Sequence, residues 1–176
     1  MLSNHLLKAR VTLLYCILPL LVSCATAPSN APIFSPAPPA PDGYATVYLY
    51  RLGAPPLTKE IQVLIDGKPV MAALEQGYTW VHVRSGSRVV DGKWPKTLGG
   101  GGWPDASVTR LFEPGKNYYF RITGRVGITA FGPAAAVSGT MGVSSTSMIL
   151  TPTAAEAEKE LAVCCRYIRS NTSQID

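Results

Sequence analysis

The chain has 176 residues, 47% of them hydrophobic, with 16 basic and 11 acidic side chains. That length suits one domain with its own hydrophobic core. A scattered net charge of +5 excludes the dense basic face of a nucleic-acid binder, and four cysteines, two of them adjacent, exclude a fold stapled by many disulfides.

Lys8 and Arg10 precede an uncharged run from Val11 to Ser23. A positive region followed by a short apolar one is the layout of a secretory signal. The run is too short for a spanning helix, which needs about 20 apolar residues, and Pro19 interrupts it. The tetrapeptide Leu21-Val22-Ser23-Cys24 resembles the bacterial lipobox. The resemblance implies a signal peptide over residues 1–23, cut between Ser23 and Cys24. It also implies a diacylglycerol on the Cys24 thiol and an acyl chain such as palmitate on its new amino group. Cys16 follows the bulky Tyr15, fails the small-residue requirement and reads as part of the apolar run. The alternatives are an ordinary signal cleaved nearby or an uncleaved anchor. Two or more acyl chains anchor stably, at roughly 0.8 kcal/mol per buried methylene. By the same resemblance, Ala25 after the cysteine implies an outer-membrane lipoprotein facing the periplasm, with the inner membrane as the alternative.

Without Lys8 and Arg10 the remaining chain carries 14 basic against 11 acidic side chains. Residues 24–42 are the Cys and a Pro/Ala-rich stretch, expected to form a semi-rigid extended tether reaching up to roughly 50 Å. A β domain with a C-terminal helix is expected over 43–170, followed by a tail at 171–176. Its first strand is "YATVYLYRL" (44–52), dense in β-branched and aromatic residues. Asp66-Gly67 suits a type I′ turn between strands at 61–65 and 68–74. Strands at 78–84 and 87–94 are expected to pair around Ser85-Gly86. The loop "WPKTLGGGGWPD" follows, then strands at 107–112 and 116–124 around Pro114-Gly115. Residues 126–155 carry no charge, but their Gly, Ala, Ser and Thr content is too polar for a spanning helix. A small-residue excursion and a last strand near Ser147–Leu150 are expected there. Thr153 and Glu156 fit a capping box, and Ala154, Ala157, Leu161, Cys164 and Ile168 make one apolar stripe. The fold class expected is mainly β: an antiparallel β-sandwich with one C-terminal α-helix.

The chemistry is sparse. His82 is the one histidine after the signal, and alternation with Trp80 and Arg84 places it on a surface face. The sequence offers no G-x-S-x-G elbow and no ligand spacing for zinc. Gly99–Gly102 runs into Trp103-Pro104, not into the Lys-Ser/Thr of a phosphate loop. Glu156, Glu158 and Glu160 are two apart on a helix and cannot act as a paired acid and base. Cys164 and Cys165 are expected to remain unbonded: adjacent α-carbons are too close, and helical side chains diverge by about 100°. Cys164 would be the buried one and Cys165 would lie at the border. The segment from Trp94 to Trp103 is the candidate binding loop, with two broad aromatic rings and with Lys93 and Lys96 for anionic partners.

"ATVYLYR", "VLIDGKPV", "GYTWVHVRSG", "EPGKNYYFRI" and "ELAVCCRYI", in this order, resemble a family of bacterial lipoproteins with a PEGA-like, prealbumin-like β-sandwich. The match covers about residues 44–169, and the Gly/Trp loop and the stretch 126–145 depart from it as insertions. The resemblance implies a fold, an envelope location and a protein or glycan partner. It implies no catalytic residue, no cofactor and no metal. The functional expectation is therefore a non-enzymatic binding or adaptor module anchored to the membrane through Cys24. An envelope hydrolase with a dispersed site is the alternative.

Overall fold

The computed structural model describes residues 25–57, 59–96, 102–130 and 141–176. The expected signal over 1–23 and its Ser23-Cys24 cleavage site lie outside the described residues. Strand material falls where alternation places it: β1 (Tyr44–Arg51), β2 (Ile61–Ile65), β3 (Lys68–Ala73), β4 (Gly77–Arg84), β5 (Gly86–Lys93), β6 (Ala106–Phe112) and β7 (Asn117–Ala130). They are followed by β8 (Met141–Leu150), α1 (Ala154–Cys164), β9 (Arg166–Tyr167) and β10 (Gln174–Ile175).

Among the described residues, ten strands make two sheets. The first has the order β10-β4-β1-β7-β8, with β9 also on β4; the second has the order β3-β2-β5-β6. The mainly β sandwich with one C-terminal helix is therefore present. Within it, β1 pairs β7 in parallel, as β4 pairs β9 and β10, so the first sheet is mixed.

Between the sheets lies the main core, with Val47, Leu49, Val81 and Phe120 from one layer and Ile61, Val63, Val90 and Phe112 from the other. Because alternate residues of a strand face opposite ways, Tyr48 and Tyr50 of β1 point outward. There Ala157 and Leu161 of α1 cover them in a second cluster with Tyr78 and Tyr119. This double burial leaves every β1 residue after Tyr44 inaccessible.

Local turn chemistry behaves as its residues dictate. Asp66 (φ 48°) and Gly67 (φ 76°) both take positive φ, which the type I′ hairpin between β2 and β3 requires. The Thr153 hydroxyl accepts from the Glu156 amide while the Glu156 carboxylate accepts from the Thr153 N–H at 3.0 Å, completing the capping box.

Several expectations need correction. Strands β4 and β5 do not pair with each other: β4 lies on β1, whereas β5 lies between β2 and β6. Ser85 donates its N–H to Gly43 O, and Gly86 at φ 135° turns the chain into the other layer. Residues 126–130 and 141–146 of the uncharged stretch are strand rather than excursion, since β7 and β8 pair from Arg121↔Leu150 to Ala130↔Met141, and residues 131–140 lie outside the described residues. The helix stops at Cys164, so Ile168 belongs to no helical stripe and packs instead on the main core. The terminal residues are not a free tail either: β10 pairs with β4, and Ile175 is buried.

The Pro/Ala-rich stretch is extended, as its composition dictates, but it is not a standing tether. Ala27 N–H donates to Glu75 O and Glu75 N–H to Ala25 O, both at 2.9 Å. Further along, Tyr167 N–H donates to Pro32 O at 2.8 Å. Ser35 N–H donates to the Tyr78 hydroxyl and Ala37 N–H to the Tyr48 hydroxyl. The Phe34 ring meets Tyr48 and Tyr78 edge-on at 6.0 and 5.4 Å. Residues 25–37 are thus an outer layer of the domain. A chain beginning at Gly43 loses this layer and is expected to be less stable by on the order of 3 kcal/mol than one beginning at Ala25. Urea unfolding of the two chains measures it; equal midpoints would mean that the segment contributes nothing.

Candidate functional site

The tryptophans of the candidate loop are structural, and this corrects the reading of Trp94 and Trp103 as a contact surface. Trp94 is 2% exposed and belongs to the main core. Its indole N–H donates to Pro55 O at 3.1 Å and its amide to Asp105 Oδ1 at 3.0 Å. A Cβ on Gly92 would stand 2.5 Å from the Trp94 ring, so glycine is what leaves room for it. Trp103 is half-buried against the same core and lies over Gly124, where a Cβ would come within 2.9 Å.

The lysines offered for anionic partners are occupied too. Asp105 pairs with Lys93 at 3.4 Å and Lys96 at 3.0 Å, and Lys96 also donates to Trp103 O. Burial works against ionisation of Asp105, but the bonds from Lys96 and the Trp94 amide prevail and hold its carboxyl below the usual range. Residues 97–101 lie outside the described residues. The signal that could have found Trp94 is parity: one residue past β5, it continues the alternation of Val90 and Gly92.

Arg51 shares the inward parity of Val47 and Leu49 and ends β1 with a fully buried guanidinium. Its Nε and Nη2 donate to Ala54 O, Nη2 also to Pro56 O, and Nη1 to Lys59 O and Ala73 O. Glu75 Oε2 lies 3.3 Å from Nε and supplies the counter-charge. The same carboxylate accepts the Gly53 and Ala54 amides. Burial lowers the Arg51 pKa and Glu75 opposes that. With four carbonyl groups and one carboxylate around it, this cation is a loop organiser with no valence left for a ligand.

Beneath α1 lies a layer of tyrosines and carboxylates. Tyr48 and Tyr119 stack at 4.9 Å. The Tyr119 hydroxyl donates to Glu158 at 2.7 Å, the Tyr50 hydroxyl to Glu160 at 2.5 Å, and Arg121 pairs with the other Glu160 oxygen. Burial, then the neighbouring carboxylate, raises the Tyr50 and Tyr119 pKa values well above the ordinary range. Glu156, Glu158 and Glu160 thus each serve a different partner, as their spacing on the helix requires. A depression of about 420 Å³ opens beside them between Arg121, Pro152 and Glu156.

His82 is buried rather than on a surface face, 5.2 Å from the Trp80 ring, and that burial lowers its pKa. Thr46 Oγ1 is 3.5 Å from its Nδ1. No group of three or more metal-ligating side chains occurs among the described residues.

The last feature reverses an expectation from the sequence. Cys164 and Cys165 form a disulfide, which overturns the expectation of two free thiols. Of the two geometric objections, the short α-carbon separation is met as it stands, at 3.7 Å, and the other assumed a helix through both residues. Instead Cys165 is extended (φ −118°, ψ 143°), so the side chains are not splayed by a helical turn. Their burial is also reversed: Cys165 lies in the tyrosine cluster and Cys164 lies half-exposed at its edge. Beside Cys164 two depressions meet. One of about 480 Å³ runs along Leu52, Lys159 and Val163; the other, of about 470 Å³, is bounded by Thr26, Ala27 and Arg166. Both share Val163 and Cys164.

No family model, curated protein or solved structure matches the chain. What this site can do must therefore come from its own chemistry.

Trp94→Ala is expected to destabilise the domain by about 3–5 kcal/mol, the range for emptying a buried tryptophan site. Urea unfolding followed by circular dichroism reads this out. An unchanged midpoint would return Trp94 to the surface.

Proposed function

We propose that this chain is a lipid-anchored cell-envelope lipoprotein whose domain acts as a non-enzymatic binding or adaptor module for an envelope protein or glycan. The observation that carries it is Leu21-Val22-Ser23-Cys24 at the end of a charged-then-apolar leader. A sorting position filled by Ala25 supports the outer membrane, with the domain facing the periplasm. The order of strand motifs supports kinship with PEGA-like lipoproteins.

One structural feature supports this reading: a disulfide between Cys164 and Cys165 suits an oxidising compartment. The described residues include no helix long and apolar enough to cross a membrane. The carboxylates of Glu158, Glu160 and Glu75 are engaged in holding the fold.

Cys24→Ala is expected to abolish incorporation of a fatty-acid analogue in growing cells and to leave an uncut precursor. Labelling equal to that of the parent would refute the anchoring. Recovery of the labelled parent in inner-membrane fractions would refute the outer-membrane assignment alone.

A further inference from the structure

We propose that the face around the C-terminal end of α1, comprising Leu52, Val163 and Cys164, lies directly on the lipid bilayer. The inference rests on acylation of Cys24 and adds an orientation that anchoring alone does not give. A long free tether would let the domain tumble above the membrane. Here the chain leaves no such freedom, because Ala25 is bound to Glu75 through its carbonyl and Ala27 through its amide. Cys24 is one peptide away, and consecutive α-carbons lie about 3.8 Å apart. Acylation of Cys24 would therefore put the lipid attachment one peptide bond from the Ala25–Glu75 pairing.

What surrounds that point is suited to lipid. Thr26 and Ala27 border the same depression as Val163 and Cys164, and those two continue into the groove beside Leu52. Val163 is the most exposed large apolar side chain described, at 86%. Such a residue at the end of a helix is left almost uncovered by the described residues, and acyl attachment at Cys24 names the surface that would cover it. Lys159 and Arg166 edge the patch and can reach anionic headgroups while their stems stay on apolar ground. The acidic neighbours are already committed: Glu160 to Tyr50 and Arg121, and Glu156 to the Thr153 cap.

Photo-cross-linking of the full lipidated chain tests this. Val163 and, separately, Leu111 are replaced by photoreactive benzoylphenylalanine, and the proteins are reconstituted in phosphatidylethanolamine–phosphatidylglycerol vesicles. Leu111 is the control because it is exposed, at 62%, on β6 and lines neither depression beside Val163. The expected result is a lipid adduct from position 163 at least tenfold more abundant than from position 111. Equal adducts, no adduct at 163, or a chain-to-chain product from 163 would each overturn the orientation, the last in favour of a second copy. Mass spectrometry of the Cys24 peptide separates the two claims. An acylated peptide without the lipid adduct defeats the orientation alone, whereas an unacylated peptide defeats both.

Discussion

A guanidinium sealed between two sheets holds this fold to one arrangement. Burying the Arg51 charge is costly unless every donor is met, and removing a partner from such a pair typically costs about 3–5 kcal/mol. The chain meets the donors with carbonyls from residues 54, 56, 59 and 73, so the crossing from β1 to β2 must wrap around the cation. Glu75 completes the knot. Its side chain takes the Gly53 and Ala54 amides and faces Arg51, while its backbone holds Ala25 and Ala27. One residue therefore joins the loop, the end of β3 and the segment that leads to Cys24.

The first sheet explains why the outer face carries tyrosines rather than aliphatic residues. Both of its faces are buried, yet what covers the outer one is extended chain and a helix bearing carboxylates. Phenolic hydroxyls at the tips of large rings bury area and still find partners there. Tyr48 and Tyr78 receive the amides of Ala37 and Ser35; Tyr50 and Tyr119 reach Glu160 and Glu158. The aromatic face, built from β1, β4 and β7, thus chooses its cover through four hydroxyls. The vicinal disulfide marks where that cover ends and the apolar margin at Val163 begins.

Strand positions were legible because alternation is local: β2 and β3 around Asp66-Gly67 follow from five or six residues each. Layer assignment was not, because whether Gly86 turns a chain back or across depends on the partner waiting in the other sheet. The Pro-rich segment shows the same limit. Its composition specifies extended backbone, but Glu75, Tyr78 and Tyr167, which lie beside it, are distant in sequence. For the candidate site, Leu21-Val22-Ser23-Cys24 stands out only as a resemblance to a motif, and the tryptophan loop was misread because Gly92, which makes room for Trp94, looks like ordinary strand filler. The Cys164–Cys165 bond was missed because the sequence lacks a glycine to announce the end of the helix at that point.

The central claim is that the Arg51–Glu75 knot fixes the loop and the leading segment together. Native-state hydrogen exchange in the parent and in Glu75→Gln tests it most directly, through the Ala27, Gly53 and Ala54 amides. The account predicts that all three are protected in the parent and lose about fivefold or more together in the variant, since a carboxylate bond weakened to an amide one costs on the order of 1 kcal/mol. Loss at Gly53 and Ala54 with Ala27 unchanged, or an Ala27 amide already exchanging freely in the parent, would contradict it.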